Sequence, residues 1–395
     1  MPRFLTFALF LSIMITLTGA AHYYVWSRLV RDPGLPGTAS RALGYALVFL
    51  FLTIPASLFL RRSALGGSVS ALVWVAMTWL GLLLFLTLAL SMADLVRGTW
   101  QVSRAWTDAG PLSPDRRQAV ARLLAGTVAL VAGSLGLWSL RSGLARVAVK
   151  RVEVSLSRLP AALSGTRIVQ LTDVHVGPTI HRGFIETVVE QCNALAPDLV
   201  VITGDLVDGS VEELREHVAP LANLRTKYGV FFVTGNHEYY SGAEEWCSEL
   251  ERLGVRVLRN ERVSIGDQHA SFDLAGVDDH SAKRFGEGQG EDLPKALNGR
   301  DPNRELVLLA HQPKTILEAK AYGVGLQLSG HTHGGQLWPW TYLVRLQQPV
   351  VAGLARFDKS LVYVSRGTGY WGPPMRLGAP SEIAELTLRS AQLKT

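Results

Sequence analysis

Apolar and polar positions follow two different patterns along the chain, and the pattern changes near residue 150. Before it, four long apolar runs without a charged residue predict transmembrane helices, because about 20 apolar residues cross the hydrocarbon core of a bilayer. These runs cover residues 4–26, 42–60, 71–93 and 123–140. After it, short apolar runs alternate with amphipathic stretches and polar turns, a pattern typical of an α/β domain. We therefore predict a membrane region (1–140), a short linker (141–151) and a globular domain (152–395).

The first apolar run has a second interpretation. The run ends in Gly19-Ala20-Ala21, which would also suit the cleavage site of a signal peptide. Its apolar core is long and more spans follow, which favours a retained helix. Four such runs in succession also argue against buried helices of a soluble protein.

Charge is distributed unevenly between the two regions. Residues 1–151 carry 15 Lys+Arg against 4 Asp+Glu, whereas the remainder carries 24 against 29. Basic residues that flank apolar spans suit anionic lipid headgroups, and a negatively charged globular region opposes nucleic-acid binding. We expect an integral membrane protein of the cell membrane. The balance of Lys and Arg leaves its orientation open. With only two cysteines in the chain, Cys192 and Cys247, no framework of disulfides is implied, which favours the cytoplasmic face for the globular domain.

The globular region alternates predicted strands and helices. Strands are predicted at 152–156, 167–172, 198–203, 229–234, 305–310, 361–365 and 382–388. Helices are predicted at 184–195, 212–224, 243–253 and 313–321, and a polar, Gly-rich loop at 281–304. This alternation predicts an α/β fold with buried strands. The linker to the last apolar run is short, so this domain is expected close to the bilayer.

Polar motifs follow the buried strands where each strand ends. They are Asp173-Val174-His175, Gly204-Asp205-Leu206-Val207-Asp208, Gly235-Asn236-His237-Glu238, His311 and Gly330-His331-Thr332-His333. Ligands gather at the carboxyl ends of strands in α/β sheets, so we expect these side chains to meet at one sheet edge. Carboxylates and imidazoles together suit two divalent ions such as Mn, Fe or Zn. Two adjacent ions hydrolyse phosphate esters by in-line attack of a bridging hydroxide.

The ordered set of motifs resembles the calcineurin-like metallophosphoesterase superfamily over residues 152–388. Gly334-Gly335-Gln336 and Gly367-Thr368-Gly369 are similar to its membrane-associated phosphodiesterase group, the transmembrane proteins with a metallophosphoesterase domain. The resemblance implies a two-sheet sandwich flanked by helices. It also implies one metal on Asp173, His175 and His333, a second on Asn236, His311 and His331, and Asp205 bridging both. Protein Ser/Thr phosphatases of the superfamily have Arg where Gly209 stands here, which disfavours that activity.

Two further residues are candidates for catalysis. His237 adjoins Asn236 but is not needed as a ligand, so it is free to protonate the leaving oxygen. Asp208 would hold the His237 imidazole in its donating form; alternatively, Asp208 only caps the next helix.

Substrate contacts are predicted from aromatic residues near the last motif. Trp338, Trp340 and Trp371 would form a lip at the level of the lipid headgroups, or else belong to the core. Arg376 or Arg366 would meet a substrate phosphate.

The sequence as a whole predicts a membrane-anchored phosphoesterase that hydrolyses phosphodiester or pyrophosphate bonds of a lipid-linked substrate. The resemblance points to compounds such as UDP-diacylglucosamine, a lipid A precursor. The alternatives are a nuclease or nucleotide phosphodiesterase, and a non-catalytic membrane sensor. No protein partner can be inferred.

Overall fold

The computed structural model describes residues 3–60, 66–107 and 113–391, and these form two compact units. One unit comprises Met1–Leu144 with Gly372–Met375, and the other comprises Ala145–Trp371 with Arg376–Thr395. The last four residues of the predicted globular domain, 392–395, lie outside the described residues.

Four long helices make up the first unit. They are α1 (Arg3–Trp26), α2 (Gly37–Leu60), α3 (Gly66–Trp106) and α4 (Pro114–Gly143). Each is long and apolar enough to cross a membrane, so the four predicted spans are confirmed as helices. Both α3 and α4 extend beyond the apolar runs because their polar ends continue the helix. At the start of α4, Ser113 accepts the Arg116 N–H and Pro114 occupies the first turn.

Among the described residues of the second unit, twelve strands are present. They are β1 (Ala148–Leu156), β2 (Arg167–Leu171), β3 (Leu199–Thr203), β4 (Val230–Val233), β5 (Val255–Val257), β6 (Glu261–Gly266), β7 (Ser271–Gly276), β8 (Leu306–Leu309), β9 (Leu326–Ser329), β10 (Gly353–Phe357), β11 (Ser360–Val364) and β12 (Glu382–Ser390). The helices between them are α5 (Arg182–Ala194), α6 (Val211–Val218), α7 (Asn236–Ser241), α8 (Ala243–Arg252), α9 (Leu293–Leu297), α10 (Ile316–Ala319) and α11 (Thr341–Val344).

The strands form two mixed sheets of six strands each. The first has the order β1-β12-β2-β3-β4-β5, and the second has the order β10-β11-β9-β8-β7-β6. In the first sheet β2 to β5 run parallel, and in the second β7, β8, β9 and β11 run parallel. The predicted α/β class and two-sheet sandwich with flanking helices are therefore confirmed.

Alternation along the strands shows why the sheets pack in this way. On β3, Leu199 and Val201 belong to one apolar cluster, which they share with Leu274 and Leu309 of the second sheet. Val200, the residue between them, belongs to the cluster formed with α5, α6 and α8. Successive side chains of a strand point to opposite faces, so a strand buried on both faces needs an unbroken apolar sequence.

Several predicted boundaries differ from the observed ones. Helix α4 ends at Gly143 and β1 begins at Ala148, so residues 144–147 connect them where a linker of 141–151 was predicted. The predicted helix 212–224 is α6 followed by a 3₁₀ segment that contains Pro220, because proline cannot continue the α-helical hydrogen bonds. Within the predicted loop 281–304, Asp292 caps the short helix α9.

Candidate metal centre

Seven predicted metal ligands lie at the carboxyl ends of parallel strands. Asp173 and His175 follow β2, Asp205 follows β3 and Asn236 follows β4, all in the first sheet. The remaining ligands come from the second sheet: one follows β8 and two follow β9, namely His311, His331 and His333. The expectation of a single sheet edge is therefore wrong. Two sheets contribute ligands, and the sequence pattern alone does not distinguish their strands.

Left-handed backbone conformations turn the ligand loops sharply after the strands. Asp173, His175, Asp205, His331 and His333 all have positive φ, between 50° and 69°. Such angles cost free energy for residues other than glycine, and they cluster where surrounding structure holds a functional site. Five strained ligand positions in one unit are strong support for a built site.

Two glycines allow the loops to approach one another closely. A Cβ atom on Gly330 would lie 2.1 Å from an Asp173 carboxylate oxygen, and one on Gly235 would lie 2.2 Å from an Asp205 carboxylate oxygen. Only glycine fits at either position, which explains why Gly235 precedes Asn236 and Gly330 precedes His331.

The histidine nitrogens face one another in two pairs. The Nε2 atoms of His175 and His333 are 3.1 Å apart, and His311 Nε2 lies 3.2 Å from His331 Nδ1. Two nitrogens that each lie ~2.1 Å from one cation are separated by about 3 Å. In His175 and His311, the ring nitrogen that points away from the pair also has a hydrogen-bond partner. His175 Nδ1 is 3.2 Å from Asp208 Oδ1, and His311 Nδ1 is 2.8 Å from the Thr203 carbonyl, so each Nδ1–H donates and each Nε2 is left to bind a cation.

The oxygen ligands complete both groups. Asp173 forms one cluster with His175 and His333, and Asp205 forms another with His311 and His331. Asp205 Oδ2 lies 3.2 Å from His311 Nε2 and 3.9 Å from His175 Nε2, so this carboxylate faces both groups.

Asn236 supplies an independent test of the ligand set. Its Oδ1 atom is buried and has no hydrogen-bond partner among the described residues. An unpaired buried amide oxygen is costly unless a cation or water occupies its acceptor position. The residues present therefore fit divalent metal ions, and Asn236 Oδ1 is a further oxygen able to bind one.

The pKa shifts differ among three of the candidate ligand histidines. Burial and the neighbouring His311 lower the pKa of His331 to about 4, and burial together with His175 and Arg376 holds the pKa of His333 well below its usual range. Both rings are therefore neutral and able to act as ligands near neutral pH. Burial would also lower the pKa of His311, but the Asp205 carboxylate outweighs it and raises that pKa.

One carboxylate oxygen connects the candidate proton donor to the ligand set. Asp208 Oδ1 lies 2.5 Å from His237 Nδ1 and 3.2 Å from His175 Nδ1. Burial opposes charge on both partners. Nevertheless the adjacent imidazoles of His175 and His237 hold the pKa of Asp208 far below its usual range, and Asp205 and Asp208 raise the pKa of His237 to about 9. The helix-capping alternative for Asp208 does not apply, because Ser210 caps α6.

Glu238 was not predicted as a site residue. Its fully buried carboxylate accepts the backbone N–H groups of Asp205, Leu206 and Gly235 at 2.9, 2.8 and 2.6 Å. It thereby fixes the loop after β3 to the loop after β4. The signal was present in the sequence, since Glu238 ends the Gly-Asn-His-Glu motif, but its partners are backbone groups that no pattern of side chains reveals.

Arg376 does not reach a substrate, so that prediction is wrong. Its side chain is fully buried and donates to the carbonyls of Gly369, Arg366 and Ala379. Burial lowers its pKa to about 10. Arg366, the alternative, is partly exposed. Its side chain packs closely on Gly334, since a Cβ atom on that glycine would lie 3.0 Å from Arg366 Cγ.

The predicted aromatic residues are exposed rather than part of the core. Trp338, Trp340 and Trp371 keep 55%, 53% and 55% of their surface accessible. The Trp371 ring lies 5.7 Å from the His237 ring, edge to face. Gln336 holds the Trp371 backbone by two hydrogen bonds of 2.9 and 3.0 Å. This connects Trp371 to the loop that carries His331 and His333.

Comparison with known proteins agrees with this geometry. The profile of the calcineurin-like phosphoesterase family matches residues 166–335. A transmembrane protein with a metallophosphoesterase domain from Bos taurus is 42% identical over 304 residues, covering 74% of this chain and 67% of its own length. The chain belongs to the calcineurin-like phosphoesterase family. An uncharacterised metallophosphoesterase from Campylobacter jejuni is 31% identical over 397 residues, covering 97% of this chain and 99% of its own length.

Membership of this family makes the chain a metal-dependent phosphoesterase. The similarity to transmembrane relatives, together with the four apolar helices, makes it a membrane-associated one. Among solved structures, a 5'-nucleotidase precursor from Thermus thermophilus aligns at a TM-score of 0.35 and 15% identity, over 56% of this chain and 54% of that chain.

Proposed function

We propose that this calcineurin-like phosphoesterase hydrolyses the phosphodiester or pyrophosphate bond of a lipid-linked substrate at a site for two divalent ions. The observation that carries the lipid assignment is Trp371. This large apolar side chain is exposed, yet it lies edge-on to the ring of His237, the candidate proton donor. An exposed indole beside the reacting group suits a substrate that has an apolar part.

The ligand set would divide between two ions along the two clusters of side chains described above, that of Asp173 and that of Asp205. Asp173, His175 and His333 would hold one ion. The other would be held by Asn236, His311 and His331, and Asp205 would bridge. Two bound ions polarise the phosphoryl oxygens and supply a water nucleophile near neutral pH.

His237 would protonate the leaving oxygen. Its Nδ1–H is held by Asp208 Oδ1 at 2.5 Å, which stabilises the imidazolium and leaves Nε2 to deliver the proton. The His237 backbone N–H donates to Asp205 Oδ1 at 2.9 Å, so the donor and the proposed bridging ligand are fixed relative to each other. Asp208 acts through the two imidazoles and is a positioning residue.

An exposed aromatic patch supports a lipid surface as the source of the substrate. We define this patch as Trp338, Trp340, Tyr342 and Trp371, each more than half exposed. Indole and phenol rings favour the headgroup region of bilayers, where one edge is apolar and the other is wet. The four apolar helices on the same chain place a bilayer among its surroundings.

The experiment compares one soluble and one lipid substrate on the full-length protein. Turnover of bis(p-nitrophenyl) phosphate and of UDP-diacylglucosamine in vesicles is measured with added Mn for wild type and for Trp338→Ser with Trp371→Ser. We expect the double variant to lose about tenfold or more on vesicles and less than twofold on the soluble diester. Leu317→Ser, which changes an apolar residue of the same unit that is 54% exposed but lies outside the patch, is the matched control.

Two outcomes would contradict the lipid assignment. Equal losses on both substrates would show that the tryptophans support the fold rather than a lipid surface. Turnover of a linear nucleotide diester well above that of every lipid tested would favour the nucleotide phosphodiesterase alternative.

A further inference from the structure

A groove of about 550 Å³ lies between α1 and α2, within the helical unit. The walls away from the connection between α1 and α2 are apolar and include Gly19, Leu47, Val48 and Phe51. The two glycines in the groove, Gly19 and Gly44, leave room: ideal Cβ atoms there would meet no atom closer than 3.7 and 3.8 Å. The space is therefore created by small residues on facing helices.

Polar and amphipathic side chains line the other end of the groove. Ser40 and Arg41 stand in the first turns of α2, and Tyr23, Trp26 and Tyr45 lie near them. Because α1 ends at Trp26 and α2 begins at Gly37, this end is the one where the two helices are joined. Tyr and Trp at the end of a span mark the interface between hydrocarbon and headgroups.

His22 does not make the middle of the groove polar. Its Nδ1–H donates to the Thr18 carbonyl at 2.7 Å, and its Nε2 accepts the Trp79 indole N–H at 2.8 Å. Both ring nitrogens are satisfied, so the ring presents carbon to the groove and packs edge to face with Phe51.

Arg41 differs from Arg28 and Arg31, the two arginines between α1 and α2, which both pair with carboxylates. Asp32 and Asp94 pair with Arg28, at 2.7 and 2.9 Å, and with two further arginines. No carboxylate among the described residues pairs with Arg41, whose Nε contacts only the Gly37 carbonyl, at 3.3 Å. Its guanidinium is therefore available to an anion at the mouth of the groove.

The length of the groove matches one leaflet. Arg41 and Phe51 are separated by about 15 Å along α2 at 1.5 Å per residue, which is half of the ~30 Å hydrocarbon core. A cationic mouth, an aromatic rim and an apolar floor one leaflet deep fit a single phospholipid. We propose that this groove binds one phospholipid with an anionic headgroup, with Arg41 on the headgroup and one of its acyl chains against Val48 and Phe51.

The test uses the full-length protein in detergent, loaded with equal amounts of phosphatidylglycerol and phosphatidylcholine and examined by native mass spectrometry. We expect about fivefold enrichment of bound phosphatidylglycerol, the scale of one basic residue acting on an anionic lipid. Arg41→Gln should remove that enrichment. Gly44→Leu should reduce retention of both lipids about tenfold, because the new side chain fills the groove. Val48→Phe fills it from a second position, should Gly44→Leu fail to fold.

Two matched controls separate the groove from general effects. Arg117→Gln removes an arginine from α4, and Gly133→Leu adds the same side chain where an ideal Cβ meets nothing within 4 Å. Both should behave as wild type. Equal binding of the two lipids by wild type, or enrichment that survives Arg41→Gln, would overturn the headgroup assignment. Undiminished lipid retention in the groove-filling variants would overturn the site.

Discussion

Replacement of His237 by alanine separates proton donation from metal binding. The substitution removes the imidazole that Asp208 Oδ1 holds at 2.5 Å, but it keeps the backbone N–H that donates to Asp205 Oδ1 at 2.9 Å. Metal content should therefore stay near wild type. Loss of a general acid costs roughly 10²–10⁴-fold in turnover, or about 2.7–5.4 kcal/mol of transition-state stabilisation.

The assay for this variant compares leaving groups. With a p-nitrophenyl ester the leaving oxygen needs no proton, so His237→Ala should lose less than about tenfold in kcat. With an alkyl ester of the same phosphate, the full loss of about 10²–10⁴-fold is expected. Tyr240→Phe is the control, because it retains the ring that lies 5.5 Å from the His237 ring and removes only its hydroxyl. An equal loss on both esters would refute the proton-donor role, and loss of metal would show that His237 supports the ligands instead.

Three further predictions concern buried groups. Arg376→Met should leave buried carbonyls unpaired and destabilise the protein by about 3 kcal/mol or more, which is measured as a lower Tm. The pKa of both Cys192 and Cys247 is raised to about 12 by burial, so iodoacetamide at pH 8 should modify neither thiol until the protein unfolds, whereas an exposed Ser248→Cys should react at once. The same raised pKa values mean that the folded state retains these protons longer than the unfolded state, so the free energy of unfolding should fall as pH rises above the ordinary thiol value of 9.0.

Much of the fold could be predicted where both faces of a strand are buried. The unbroken run 199–202 is apolar because one face meets the second sheet and the other meets helices. Strands β5, β6, β7, β9 and β10 were not predicted. Strand β6 has only two aliphatic residues among polar ones, and β7 contains the buried Asp273 between apolar neighbours. Arg262 and Arg304 pair with that carboxylate across the sheet, and a local pattern does not reveal such partners.

The site was predictable to the extent that side chains alone define it. The carboxylates and imidazoles stand in order at strand ends, so their convergence followed from the sequence. Contacts to backbone groups did not follow. Arg376 was assigned to a phosphate because it is charged, yet it donates to backbone carbonyls. The Glu238 carboxylate accepts backbone N–H groups from two loops and so holds those loops together. Nor could the sequence show that Asp208 contacts His175 as well as His237.

Metal stoichiometry of the purified, full-length protein tests the central claim most directly. Elemental analysis should find two divalent ions per chain in wild type. In Asp205→Asn it should find clearly fewer, with hydrolysis of bis(p-nitrophenyl) phosphate nearly abolished, because one carboxylate faces both ligand groups. Asp198→Asn, which alters a carboxylate that accepts the Arg167 N–H at the start of β2, should keep both ions and full turnover. Two ions and wild-type turnover in Asp205→Asn, or full turnover by a wild-type protein that holds no metal, would contradict a two-metal phosphoesterase built on these residues.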